Sequence, residues 1–82
     1  MGNTKQGGIK MLEAEEIKLT FGERLKIIRS RKKMSQIELA KRVDLFPYTI
    51  NNYEKDKYMP NGANLERICK VLDVTASELL GF

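Results

Sequence analysis

The sequence predicts an all-α fold of five short helices, and three observations support this prediction. The pattern Ser/Thr-x-x-Glu, in which two side chains satisfy free backbone N–H groups at a helix start, occurs three times between residues 20 and 78. Apolar residues recur at helical spacing after each of these starts. Residues 20–82 contain no strand-like alternation of polar and apolar residues. We therefore expect a compact helical bundle.

The first two helices are expected to begin at Thr20/Glu23 and at Ser35/Glu38, the first two of these patterns. Each start is followed by one apolar stripe, made of Phe21, Leu25 and Ile28 in the first helix and of Leu39, Ala40 and Val43 in the second. These stripes predict that both helices bury one face.

The third helix is expected over about 47–55. Pro47 suits a first helical position, and Ile50 and Tyr53 supply its buried residues. Only Asp44, Leu45 and Phe46 separate it from Val43, which predicts a three-residue turn between the second and third helices. Asp44 tolerates the left-handed backbone of such a turn better than most residues.

The last two helices complete the bundle. Leu65, Ile68, Cys69 and Leu72 form the apolar stripe of the fourth. The fifth begins at Thr75/Glu78 and carries Ala76, Leu79 and Leu80. Residues 20–82 are thus expected to form one domain and residues 1–19 an N-terminal extension, whose Ile9–Leu19 part is a helix, an edge strand or an arm.

The composition excludes several function classes. With 82 residues the chain is long enough for one small domain only. One cysteine and no histidine leave no internal disulfide, no Cys/His metal site and no histidine-based triad, so we expect no enzyme, no cofactor and no metal. No apolar run is long enough for a membrane span or a secretory signal, which predicts a cytoplasmic protein.

The positive charge is concentrated in the middle of the chain. The net charge is +4, and residues 20–59 carry ten basic and five acidic side chains. Such an excess is compatible with an anionic partner, although a solvated helical surface is the better explanation of an isolated basic cluster such as Arg29, Arg31, Lys32 and Lys33.

The predicted second and third helices, joined by a tight turn in a basic all-α domain, form a helix-turn-helix arrangement whose second helix fits the DNA major groove. Many small bundles contain such a turn without binding DNA. Removal of its expected buried residues leaves the third helix a polar face, made of Tyr48, Thr49, Asn51, Asn52 and Lys55. The pattern therefore favours double-stranded DNA as the partner.

A specific motif points the same way. It consists of Ser35-Gln36-Ile37-Glu38-Leu39-Ala40 followed by Val43, Ile50, Tyr53-Glu54, Pro60, Leu65 and Leu72-x-Val74. Residues 21–80 thereby resemble the Cro and phage-repressor type of helix-turn-helix domain, and Pro60-Asn61-Gly62-x-Asn64-Leu65 resembles the start of the fourth helix in lambdoid phage repressors. The resemblance implies a five-helix fold like that of lambda repressor and a sequence-specific DNA-binding regulator.

The resemblance also implies roles for individual residues. Bases would be read by the first two residues of the third helix and by two residues one turn later, namely Pro47, Tyr48, Asn51 and Asn52. Asn52 is the strongest candidate, because an amide can pair bidentately with adenine. The DNA phosphates would be contacted by Gln36, which also braces the third helix, and by Thr49, Lys55 and Lys57. Arg29 and Glu54 match a structural ion pair of the family.

The chain departs from the family pattern at two places. Phe46 and Pro47 stand where a Ser/Thr cap and a base-contacting residue are usual, so Phe46, Pro47 and Tyr48 either make apolar contacts with thymine methyl groups or, in the case of Phe46, fill the core beneath the turn. Asp56 replaces a common glycine and brings a negative charge close to the expected DNA.

The leading hypothesis is a transcriptional repressor of phage, prophage, plasmid or bacterial origin that binds a palindromic operator as a homodimer. Leu79, Leu80 and Phe82 or the first nineteen residues are candidates for the dimer surface. The alternative is an antitoxin or adaptor that uses the same fold to bind another protein.

Overall fold

A computed structural model describes residues 18–82, which form five α-helices and no strand. The helices are α1 (Phe21–Arg31), α2 (Gln36–Arg42), α3 (Pro47–Glu54), α4 (Gly62–Leu72) and α5 (Ala76–Leu80). The predicted extension lies almost wholly outside the described residues. No helix within 18–82 has the length and apolar character needed to cross a membrane.

The first and last helices begin with the predicted reciprocal caps. The Thr20 hydroxyl accepts from the Glu23 N–H at 3.1 Å, and the Glu23 carboxylate accepts from the Thr20 N–H at 2.9 Å. Thr75 and Glu78 repeat the same pair of bonds at 3.0 and 2.8 Å. Both starts are therefore set by local side-chain chemistry, as the sequence indicates.

The start of α2 differs from the prediction. The Ser35 hydroxyl caps the Glu38 N–H at 2.9 Å, but the Glu38 carboxylate binds Arg42 at 2.7 Å, one turn along the helix. Because Arg42 competes for this carboxylate, only half of the expected capping box forms. The start of α4 has a cap of a different kind, in which the Asn61 side chain accepts from the Asn64 N–H at 2.8 Å.

One apolar core joins all five helices. It contains Phe21, Leu25, Leu39, Ala40, Val43, Ile50, Tyr53, Ile68, Cys69, Leu72 and Leu79. Helix α3 packs against α1 and α2, whereas α5 packs against α1 and α4. The predicted apolar stripes thus meet in the interior, and the back of α3 is anchored to it.

Helix α1 approaches the end of α3 very closely at Gly22. A Cβ atom on this residue would lie 2.4 Å from the Glu54 carbonyl oxygen and 2.6 Å from that of Tyr53. Only a glycine allows the backbones of α1 and α3 to approach this closely.

Four non-glycine residues adopt the left-handed backbone, each just beyond the end of a helix. They are Lys33, Asp44, Asp56 and Asp73, with φ between 58° and 60°. Aspartate is among the residues that tolerate this conformation best. The expectation for Asp44 in the turn is confirmed, and Asp56 adopts the same conformation after α3.

Candidate nucleic-acid interface

The α2–α3 pair is joined by Val43–Phe46, one residue more than predicted, because α2 ends at Arg42. Val43 lies beyond the helix but remains buried with Ile50 beneath the turn. The Leu45 N–H donates to the Ala40 carbonyl at 2.9 Å and closes the end of α2. The turn is therefore fixed by backbone hydrogen bonds and by burial, and it sets the direction of α3.

The front of α3 is exposed and partly aromatic. Phe46 precedes the helix without a side-chain cap, and Pro47 occupies the first turn. Phe46 is 76% exposed and Tyr48 72% exposed, with Pro47 exposed between them. The alternative that Phe46 fills the core beneath the turn is therefore wrong. Three consecutive residues instead form an apolar surface at the start of α3, and Thr49 behind them is half-buried.

The two asparagines of α3 have different environments. Asn51 is half-buried, whereas Asn52 is only 2% exposed and its amide donates to the Tyr58 hydroxyl at 3.1 Å. The structure contradicts the expectation that Asn52 belongs to an exposed face of α3. Tyr58, the hydrogen-bond partner, lies six residues further along the chain. In this arrangement Asn52 is not placed to pair with a base.

The predicted ion pair between Arg29 and Glu54 is present and buried. The Arg29 Nε and Nη2 groups donate to the two Glu54 carboxylate oxygens at 2.5 and 3.0 Å. Arg29 Nη1 donates to the Met34 carbonyl oxygen at 2.7 Å. The pair joins α1 to the C-terminal end of α3, and its bidentate geometry restricts how α3 can rotate.

Gln36 extends this pair toward the front of α3. Its amide nitrogen donates to the Glu54 carboxylate at 2.9 Å, and its carbonyl oxygen accepts from the Asn51 amide at 3.3 Å. Gln36 therefore connects the first turn of α2 to two positions on α3. The bracing contact that the resemblance implied for this glutamine is thus found in the structure.

The loop after α3 carries the remaining predicted residues. Lys55 and Lys57 are exposed on either side of Asp56. The Asp56 carboxylate accepts from the Thr20 hydroxyl at 2.5 Å and from the Gly22 N–H at 2.8 Å. Its charge is therefore engaged at the start of α1. Sequence reasoning missed this bond because its partners lie more than thirty residues away.

The arrangement is suited to noncovalent binding. It combines an exposed apolar front, side-chain amides on a rigid helix and exposed lysines beside it. Within residues 18–82, no group of three or more His, Cys, Asp or Glu side chains is gathered to hold a metal ion. The surface can thus contact base edges and phosphates through van der Waals contacts, hydrogen bonds and charge.

The sequence matches the family model described as "Helix-turn-helix domain" over residues 22–81. An immunity repressor protein of Bacillus phage phi105 is 32% identical over 63 residues, which represent 77% of this chain and 44% of that protein. The chain therefore spans less than half the length of this relative.

Two solved structures share the fold. The P22 c2 repressor protein, crystallised in complex with the synthetic operator 9T, is 32% identical with a TM-score of 0.74, and the match covers 77% of this chain and 96% of that one. The restriction-modification controller protein C.AhdI from Aeromonas hydrophila is 29% identical with a TM-score of 0.69, over 72% and 89% of the two chains. These matches confirm the predicted repressor-like fold class.

Proposed function

The chain belongs to the helix-turn-helix domain family, and from this membership we propose that it is a transcriptional repressor that binds double-stranded DNA sequence-specifically. The observation that carries the proposal is the exposed front of α3, which is rigidly connected to the core through its back. The P22 c2 repressor, similar over almost its whole solved chain, was crystallised with an operator. The DNA-binding domain comprises residues 20–82, and its function is binding rather than catalysis.

In this proposal the bases are read by Pro47, Tyr48 and Asn51. The exposed ring faces of the first two suit apolar contact with thymine methyl groups, and the Asn51 amide suits a hydrogen bond to a base edge. Since Gln36 holds Asn51 through a hydrogen bond, part of the entropic cost of orienting this amide is met before DNA binds.

The phosphates are contacted by Gln36, Thr49, Lys55 and Lys57. Gln36 uses one of its two amide hydrogens on Glu54, which leaves the other for a phosphate oxygen. The two lysines are exposed beside the end of α3. Because Asp56 between them binds the start of α1, its charge is partly neutralised by N–H and O–H donors.

The repressor binds a palindromic operator as a homodimer. A single α3 reads only a few base pairs, and two copies related by a twofold axis would reach half-sites about 34–36 Å apart. Of the C-terminal candidates for the dimer surface, Leu79 is fully buried and unsuitable, whereas Phe82 is largely exposed. Sedimentation equilibrium with and without operator DNA would measure this association.

Selection from random duplex DNA at two salt concentrations tests the function. We expect enrichment of a palindromic site whose affinity falls steeply with salt. Lys57→Ala should then lower the salt slope by about 1, because one phosphate contact is lost. The matched control Lys70→Ala removes the same charge from an exposed position on α4 and should leave the slope unchanged.

The opposite results would refute the proposal. If no duplex binds in a salt-dependent manner, the antitoxin or adaptor hypothesis is favoured, with the exposed Phe46 and Tyr48 rings as a protein-binding surface. Equal salt slopes for Lys57→Ala and Lys70→Ala would show that the loop after α3 does not contact DNA.

A further inference from the structure

Asn52 and Tyr58 form a polar contact that the residue roles proposed so far do not use. The buried Asn52 amide donates to the Tyr58 oxygen at 3.1 Å, and Tyr58 as a residue is 48% exposed. The Asn52 amide on α3 thus binds the hydroxyl of the exposed Tyr58. A buried polar group that serves only an exposed hydroxyl suggests that the position of this hydroxyl matters.

The phenol ring is held from other directions as well. It packs at 89° against the Tyr53 ring, with 5.6 Å between the ring centroids. The Tyr53 hydroxyl in turn accepts from the Asn64 amide at 3.1 Å, which ties this edge-to-face ring pair to α4. The backbone N–H of Lys57 donates to the Asn52 carbonyl at 2.9 Å and holds the loop just before Tyr58. The hydroxyl is therefore preorganised before any ligand binds.

The hydroxyl retains its ability to donate. A phenol carries one O–H donor and can also accept. Because the Tyr58 oxygen already accepts from Asn52, its hydrogen is left for another acceptor, and within residues 18–82 no group accepts it. An exposed neutral donor of this kind suits an anionic oxygen.

The place of this donor on α3 identifies the acceptor. Asn52 lies about one helical turn beyond Tyr48, toward the C-terminal end of α3. A helix of this length extends about 12 Å, which matches the width of the major groove, also about 12 Å. If the start of α3 contacts bases, Tyr58 beyond its other end lies at the edge of the groove, where the phosphates are. The exposed Lys57 is its neighbour in sequence.

We propose that the Tyr58 hydroxyl donates a hydrogen bond to a DNA phosphate and that Asn52 is its positioning residue. This inference rests on the proposed DNA-binding function. It reassigns Asn52 from reading a base to orienting a phosphate contact through Tyr58.

The first test is Tyr58→Phe, which removes only the hydroxyl and keeps the ring that packs edge-to-face against Tyr53. Since a hydrogen bond to a charged group is lost, we expect Kd to rise about tenfold or more, equally for the selected operator and for unrelated duplexes. The salt slope should not change, because a neutral donor displaces no counterion, in contrast to Lys57→Ala. The control Ser30→Ala removes a hydroxyl from an exposed position on α1 and should leave Kd unchanged.

The second test is a double-mutant cycle with Asn52→Leu, which removes the amide but nearly preserves side-chain volume. Asn52→Leu should weaken binding to all duplexes in the wild-type background and cause no further loss in Tyr58→Phe. Circular dichroism of each variant verifies that the fold is retained.

Three results would overturn the inference. They are wild-type affinity of Tyr58→Phe, equal losses for Asn52→Leu in both backgrounds, or a loss confined to one base position, which would restore Asn52 as a base reader. If the wild-type protein binds no duplex at all, it is the proposed function that fails.

Discussion

Glu54→Gln is the substitution whose effect on stability follows most directly from the structure. It preserves shape but removes the negative charge opposite Arg29, and the two side chains are only 3% and 11% exposed. Loss of one partner of a buried pair costs about 3–5 kcal/mol, because the remaining charge is left without compensation. Arg29 keeps its bond to the Met34 carbonyl and a little solvent contact, so we expect the lower end of this range. The free energy of unfolding of a domain of this size is about 3–10 kcal/mol, so the substitution removes about a third of it or more.

Urea denaturation followed by circular dichroism measures this change in the free energy of unfolding. Glu38→Gln is the matched control, because it removes the same charge from the exposed pair with Arg42 and should cost no more than about 0.5 kcal/mol. The double variant Arg29→Met/Glu54→Leu replaces the whole pair with apolar side chains and should recover much of the loss. Two results would contradict this reasoning. One is a loss of stability for Glu54→Gln no larger than that for Glu38→Gln, and the other is a loss for the double variant equal to the sum of the losses for Arg29→Met and Glu54→Leu measured singly.

Three further predictions concern other contacts. Gly22→Ala should destabilise the domain by about 1–3 kcal/mol in the same urea assay, since its Cβ would collide with the Glu54 carbonyl oxygen, and an unchanged midpoint would contradict the observed approach of the helices. Asp56→Asn keeps a side chain that tolerates the left-handed backbone but weakens the bonds to Thr20 and to the Gly22 N–H, so we expect a loss of about 1 kcal/mol in the same assay, and an unchanged midpoint would show that these bonds do not stabilise the fold. Burial raises the pKa of the Cys69 thiol, so the folded protein should react with a disulfide reagent much more slowly than the urea-unfolded chain, and the contribution of this thiol to stability should be lost as the pH rises above the pKa of the unfolded thiol; equal reaction rates would show that the thiol is accessible.

Much of the fold was predictable because the signals that start helices are local. The Thr20 and Thr75 hydroxyls find partners three residues away, so the sequence alone indicates where α1 and α5 begin. The same rule predicted a reciprocal cap at Ser35, but only half of it forms, since Arg42 competes for the Glu38 carboxylate. A local rule fails where a second local partner is equally close.

The candidate site was less predictable, and the reason is burial. Tyr48 stands on the front of α3 as expected, but periodicity alone did not show that Asn52 is covered. The hydrogen-bond partner of Asn52 is Tyr58, whose ring packs on Tyr53, and the helical pattern of α3 does not indicate this contact. Sequence periodicity describes one helix at a time and omits the loops that fold over it.

The sequence by itself determined the helix starts, the apolar stripes and the turn between α2 and α3, because each depends on residues a few positions apart. Tertiary structure decided the rest. The Asp56 carboxylate accepts a hydrogen bond from the start of α1, and the Asn52 amide is buried and binds Tyr58 instead of lying exposed on α3. These contacts form only when the core brings distant segments of the chain together. The entropic cost of closing the long loops between them is offset by the burial of apolar surface and not by local backbone preference.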